Sequence, residues 1–166
     1  ASLLLAWILG IVKSVIFVLA ATALLKQVSG GIHLKTISEC ALFSALVSNL
    51  MGLFSVRIEG VIYEHWGLLV VVSYIYILVS LFLWSPADVE EKPIKKEEKR
   101  KTLKLISILL ASLLIGVVIG LFYFYQEQFS LINTSLVVGL LFQAFAISPL
   151  AYRLRSLYYK LKDLIK

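Results

Sequence analysis

The stretch Leu103–Tyr125, LKLISILLASLLIGVVIGLFYFY, decides the fold. Apart from Lys104 near its start it carries no charge, and it is as long as the roughly 20 mainly apolar residues a helix needs to cross a hydrocarbon core of ~30 Å. A chain in lipid must satisfy its own backbone donors and acceptors, so a stretch of this kind reads as a membrane helix. Four more candidate spans lie around it, at Ser2–Leu25, Ile37–Val56, Leu68–Trp84 and Leu131–Tyr152. Hydrophobic residues make up 60% of the 166 and charged residues 16%, where a soluble domain carries about a quarter charged. The expected fold class is therefore all-α: a multi-spanning transmembrane helical bundle of about five spans. The count falls to four if the tightly joined second and third spans merge into one tilted element with a re-entrant piece.

Charge divides the chain. Residues 1–84 read as a three-span half, 85–102 as a charged cytoplasmic linker, 103–152 as a two-span hairpin and 153–166 as a basic amphipathic tail. The linker holds Lys92, Lys95, Lys96, Lys99, Arg100 and Lys101, mixed with Asp88, Glu90, Glu91, Glu97 and Glu98. In the tail, Leu150, Leu154, Leu157, Leu161 and Leu164 recur at helical spacing against Arg153, Arg155, Lys160 and Lys162, the pattern of a helix that lies in a membrane interface. Basic loops resist translocation. Linker and tail therefore belong on the cytoplasmic side, as do Lys26 and Lys35, while Gln126–Ser130 and the region of Arg57–Gly67 belong outside. This places the N-terminus outside and the C-terminus inside, in a cell membrane. The first apolar run has no basic region ahead of it and reads as a retained span rather than a signal peptide.

The net charge of +6 sits beside the spans, where anionic lipid accounts for it, so the bilayer is the expected partner and nucleic acid is not. Helices in lipid pack through small residues at four-residue spacing. Such rows occur at Ala6, Gly10 and Ser14; Ala41, Ala45 and Gly52; Ser112, Gly116 and Gly120; and Ser135, Gly139 and Gln143. They predict a packed bundle in which the last two spans form an antiparallel hairpin. Gly116 and Gly120 are candidates for contact with another chain.

The candidate functional residues are few. Lys13 reads as lying near the middle of the first span, where an ammonium costs roughly 2.5–3.5 kcal/mol, and so calls for a partner charge, a water path or a snorkelled side chain. Glu39 opens the second span, where it would favour the helix dipole or mark the mouth of an ion path, and Ser44, Ser48 and Asn49 continue a polar line. His33 and His65 suggest a haem held by two histidines or a quinone met near the interface, but they fall on opposite faces, so one chain cannot clamp a haem between them, and His65 is left as an outer-face contact. The lone Cys40 cannot form an internal disulfide. No catalytic, metal or cofactor motif emerges, and lipid is the only ligand expected. The reading is then a non-catalytic accessory or structural subunit of a larger membrane complex, such as a respiratory assembly, in contact with other membrane subunits. The alternative is a small homo-oligomeric ion or solute transporter or channel using Lys13, Glu39 and Asn49. An integral membrane enzyme ranks behind both.

Overall fold

The computed structural model describes residues 2–88, 94–125 and 130–164. All regular elements among them are helices: α1 (Ser2–Ile8), α2 (Val12–Ser29), α3 (Ile37–Glu64), α4 (Trp66–Trp84), α5 (Glu97–Tyr125), α6 (Ser130–Ala146) and α7 (Pro149–Leu164). Lys92, Glu90 and Glu91 of the linker, most of the Gln126–Ser130 loop and Lys166 lie outside the described residues. Four helices, α2 to α5, are long and apolar enough to cross a membrane, or five if α6 and α7, bent by 70°, count as one broken span. The all-helical multi-pass architecture thus stands as the sequence requires.

The second and third spans do not merge. His65 ends α3 and begins α4, and its own amide donates to the Val61 carbonyl at 3.3 Å. The first span, by contrast, is not continuous. Gly10 adopts φ 70°, a conformation open to glycine but strained for other residues, and the chain breaks there between α1 and α2. Lys13 is consequently not at mid-helix; it stands exposed in the first turn of α2, beside the break.

α6 is the axis of the bundle. Every residue from Ile132 to Leu140 is buried, whatever side of the helix it occupies, as expected for a helix enclosed by neighbours. It packs on α2, α3, α4 and α5. The expected small-residue rows act here, but with another partner: the Ser135–Gly139–Gln143 row of α6 faces α2 rather than α5. A Cβ on Gly139 would stand 2.7 Å from the Val18 carbonyl oxygen and 2.9 Å from Ala21 Cβ, so the two backbones meet at a distance that only glycine permits. At Gly52 of α3 the close neighbour is a side chain: a Cβ there would stand 2.6 Å from Val15 Cγ2. Ser14 donates to the Gly52 carbonyl at 3.0 Å and lies 2.8 Å from the Ser135 hydroxyl, joining α2, α3 and α6 at one point.

On the other side, α4 and α5 close the core. Trp66 stacks on Phe122 with ring centroids 4.7 Å apart, and Tyr74 and Ser112 hydroxyls meet at 2.9 Å. Ile77, Leu81, Ala111, Ile115 and Val118 pack with Leu136, Leu140 and Ala144 of α6. The outward residues Leu68, Val71, Val72, Ile75, Leu105, Leu109, Leu113 and Val117 are exposed. An apolar surface of that extent on the spanning helices is the face that contacts lipid.

The candidate functional site

The site grows from a turn. α2 ends at Ser29, and Gly30 (φ 72°) and Gly31 (φ 129°) then reverse the chain in conformations that favour glycine. The backbone at Gly30 passes so close to Ala87 that a Cβ would lie 2.2 Å from its carbonyl oxygen. Ala87 N–H donates to the Ser29 carbonyl at 2.8 Å, Ile32 N–H donates to the Ala146 carbonyl at 3.2 Å, and the Gln143 amide donates to Ser29 Oγ at 2.9 Å and to the Gly30 carbonyl at 2.8 Å. The turn is thus pinned by α6 and by the segment after α4. It delivers His33, Leu34 and Lys35 to the N-terminus of α3.

There Thr36 caps α3, its hydroxyl accepting from Glu39 N–H at 3.2 Å, which places Cys40 in the first turn with its own N–H donating to the Thr36 carbonyl at 3.0 Å. Leu34 N–H donates to Cys40 Sγ at 3.0 Å, and the thiol lies 3.7 Å from the Leu34 carbonyl. Residues 34 and 40 are therefore closed into an arc, with His33 at its start and the only cysteine of the chain at its end. His33 is exposed at this end of α3, and Cys40 is half-buried.

Two apolar clefts flank the arc. One, of about 160 Å3, lies between α2, α3 and α6, with Cys40, Lys26, Phe43, Met51, Phe142 and Gln143 among its walls. The other, of about 320 Å3, runs between α3 and α7 past Leu34, Glu39, Phe43, Phe145, Leu154 and Tyr158. α7 is bound to the arc: the Glu39 carboxylate accepts from Tyr159 Oη at 2.9 Å and pairs with Lys162. No group of three or more His, Cys, Asp or Glu among the described residues could hold a metal ion. Cys40 lines the first of these clefts, and His33 stands seven residues before it at the start of the same arc.

The residues singled out in the sequence scatter. Glu39 borders the arc. Asn49 is buried in α3, its amide donating to the Ser2 carbonyl at 3.1 Å and the Ala45 carbonyl at 2.8 Å, so it ties α1 to α3. His65 is exposed at the far end of α3 from His33. Gly116 and Gly120 face open space, with no atom among the described residues within 4 Å of a Cβ built on either. His33 and Cys40 are the pair that the sequence reading passed over. Taken singly, His33 suggests a haem or quinone donor and Cys40 a thiol without a disulfide partner; the signal that joins them is their seven-residue spacing at the start of an apolar helix.

The fold and this end of it define a multi-pass membrane protein with a thiol at its rim. Residues 1–147 match the accessory gene regulator B (AgrB) family, and the chain belongs to it. An AgrB-like protein of Listeria monocytogenes serovar 1/2a is 32% identical over 136 residues, covering 82% of this chain and 61% of the relative. One from Clostridium acetobutylicum is 26% identical over 157 residues, 95% of this chain and 70% of the relative. The chain thus spans 61% of the length of the Listeria relatives it matches. No solved structure matches it. Membership of this family overturns the expectation of an accessory subunit of a respiratory or similar complex, and equally the transporter or channel alternative. Both rested on the absence of a recognised catalytic motif in the sequence.

Proposed function

We propose that this chain is a membrane-embedded thiol peptidase of an accessory gene regulator system, acting on the precursor of an autoinducing peptide. The observation that carries the reading is the pair of contacts between Leu34 and Cys40, which hold the thiol at the end of the arc that His33 begins. In this mechanism His33 takes the thiol proton and Cys40 Sγ attacks the scissile carbonyl. The tetrahedral intermediate collapses to a thioester, and His33 returns the proton to the departing amine. Water then adds to the thioester, releasing a carboxylic acid and the thiol. The apolar clefts on either side suit a substrate that arrives from the membrane, with its side chains seated along α3.

An orientation accompanies this reading. Gly30 to Thr36, the Ser85 to Asp88 segment and α7 meet at one end of the bundle through Ala87 N–H to the Ser29 carbonyl, Tyr152 Oη to the Asp88 carbonyl at 3.2 Å, and Lys35 N–H to Tyr159 Oη. Lys26, Lys35, Arg100 and Lys162 gather there, and the positive-inside rule supports reading that end as the cytoplasmic one, in a cell membrane.

The test is co-expression with an epitope-tagged precursor peptide. Wild type should release a shorter peptide, and Cys40→Ser and His33→Ala should each reduce release by at least about a thousandfold, since loss of either partner of a nucleophile pair removes the covalent route. Release that survives Cys40→Ser would defeat the proposal.

A further inference from the structure

We propose that Tyr159 of α7 is a positioning residue for the thiol site, one phenol holding both ends of the His33-to-Cys40 arc. The enzymatic consequence rests on the peptidase reading above; the geometry does not. Two residues beyond His33, Lys35 N–H donates to Tyr159 Oη at 2.7 Å, and the Lys35 ammonium stands 4.5 Å from the centre of the same ring. One residue before Cys40, Glu39 Oε2 accepts from Tyr159 Oη at 2.9 Å, and Glu39 Oε1 pairs with Lys162. The phenol has one proton and accepting lone pairs. It gives the proton to the carboxylate and accepts from the backbone amide, so its hydrogen-bonding capacity goes into spanning the arc.

The weights of the two α7 contacts differ. The Lys162 side chain is 41% exposed, and an ion pair with that much access to solvent is screened and holds little by itself. Hydroxyl to carboxylate is a charge-assisted bond of fixed direction, and the amide to phenol bond acts on backbone rather than on a flexible side chain. Tyr159 is in turn placed by α7 as a whole. Ala151 is buried against the bundle, Tyr152 reaches the Asp88 carbonyl, and Tyr158 meets the Tyr159 ring edge to face at 5.0 Å. Loss of the phenol oxygen alone should therefore free the arc while leaving α7 docked.

The experiment uses Tyr159→Phe, which keeps the ring and both ring contacts, in the full chain in detergent or nanodiscs. Cys40 is the only cysteine, so its alkylation by iodoacetamide reports on the arc without any substrate. The expected result is a thermal midpoint within about 2 °C of wild type, an alkylation rate raised by about threefold or more, kcat on the precursor peptide lowered about five- to twentyfold, and KM within about twofold. An alkylation rate equal to or below that of wild type in the folded variant overturns the positioning role. A raised rate in a protein whose wild type cuts no peptide upholds that role and sinks the peptidase reading instead. Should Tyr159→Phe fail to fold, Glu39→Gln, which removes the charge that the phenol addresses, is judged by the same alkylation rate.

Discussion

At the scale of single residues, Gly30 carries the most consequence for its size. Its φ of 72° and the 2.2 Å approach of the Ala87 carbonyl oxygen to a hypothetical Cβ mean that Gly30→Ala meets backbone strain and a collision with backbone together. A residue forced into this region costs about 1–3 kcal/mol before the collision is counted. Gly30→Ala should therefore lower the thermal midpoint by several degrees and displace His33, which a melting curve and Cys40 alkylation would register together. Gln143 was visible in the sequence as part of a small-residue row, but its task was not. A row at four-residue spacing states that something packs closely; that the Gln143 amide would reach Ser29 and Gly30 depends on where α2 ends. Glu39 was legible as a first-turn acid, and its ties to Tyr159 and Lys162 were not, because both partners lie more than a hundred residues further along the chain.

At the scale of elements, the contrast between Gly139 and Gly116 separates helix faces that the sequence made alike. Both belong to small-residue rows in apolar helices. Gly139 lies against the Val18 backbone of α2, whereas Gly116 opens outward from α5. Gly139→Val should separate α2 from α6 and cost about 1–3 kcal/mol or more, as overpacking in a close interface does, and a lowered yield of folded protein with a depressed thermal midpoint would register it. Gly116→Val should leave the midpoint within about 2 °C, with no clash and a gain in helix propensity of a few tenths of a kcal/mol. The break at Gly10 belongs to this scale as well. The run Ser2–Leu25 is apolar throughout, so hydropathy reads one span. The return of α1 along α3, through the contact of Ser2 with Ser48 and Asn49, is what turns it into two helices and moves Lys13 from the middle of a helix to its start.

At the scale of the whole molecule, polarity is sorted by end rather than by layer. The arc, the Ala87 segment and α7 gather at one end, His65 stands at the other, and apolar surface on α4 and α5 occupies the length between. α7 leaves the axis of α6 by 70° and keeps Leu150, Leu154, Leu157, Leu161 and Leu164 exposed. A leucine stripe backed by Arg153 and Lys160 suits the headgroup boundary of an anionic leaflet. The double substitution Leu157→Glu with Leu161→Glu should detach α7 from that leaflet. Amide hydrogen exchange in nanodiscs should then accelerate through α7 by about tenfold or more while α6 retains its protection.

The sequence by itself determined that this protein lives in a membrane as a bundle of helices, which of its loops are basic, and that an amphipathic helix follows the last span. These are properties of contiguous residues, because the bilayer tests length and apolarity one segment at a time. Only the tertiary structure decided that α6 is the enclosed helix, that its glycine row belongs to α2, and that Tyr159 closes over the arc between His33 and Cys40. Among helices in lipid no hydrophobic pattern encodes the choice of neighbour, since every face is apolar. That choice is made by shape and by a few hydrogen bonds between distant residues, and these exist only once the helices have met.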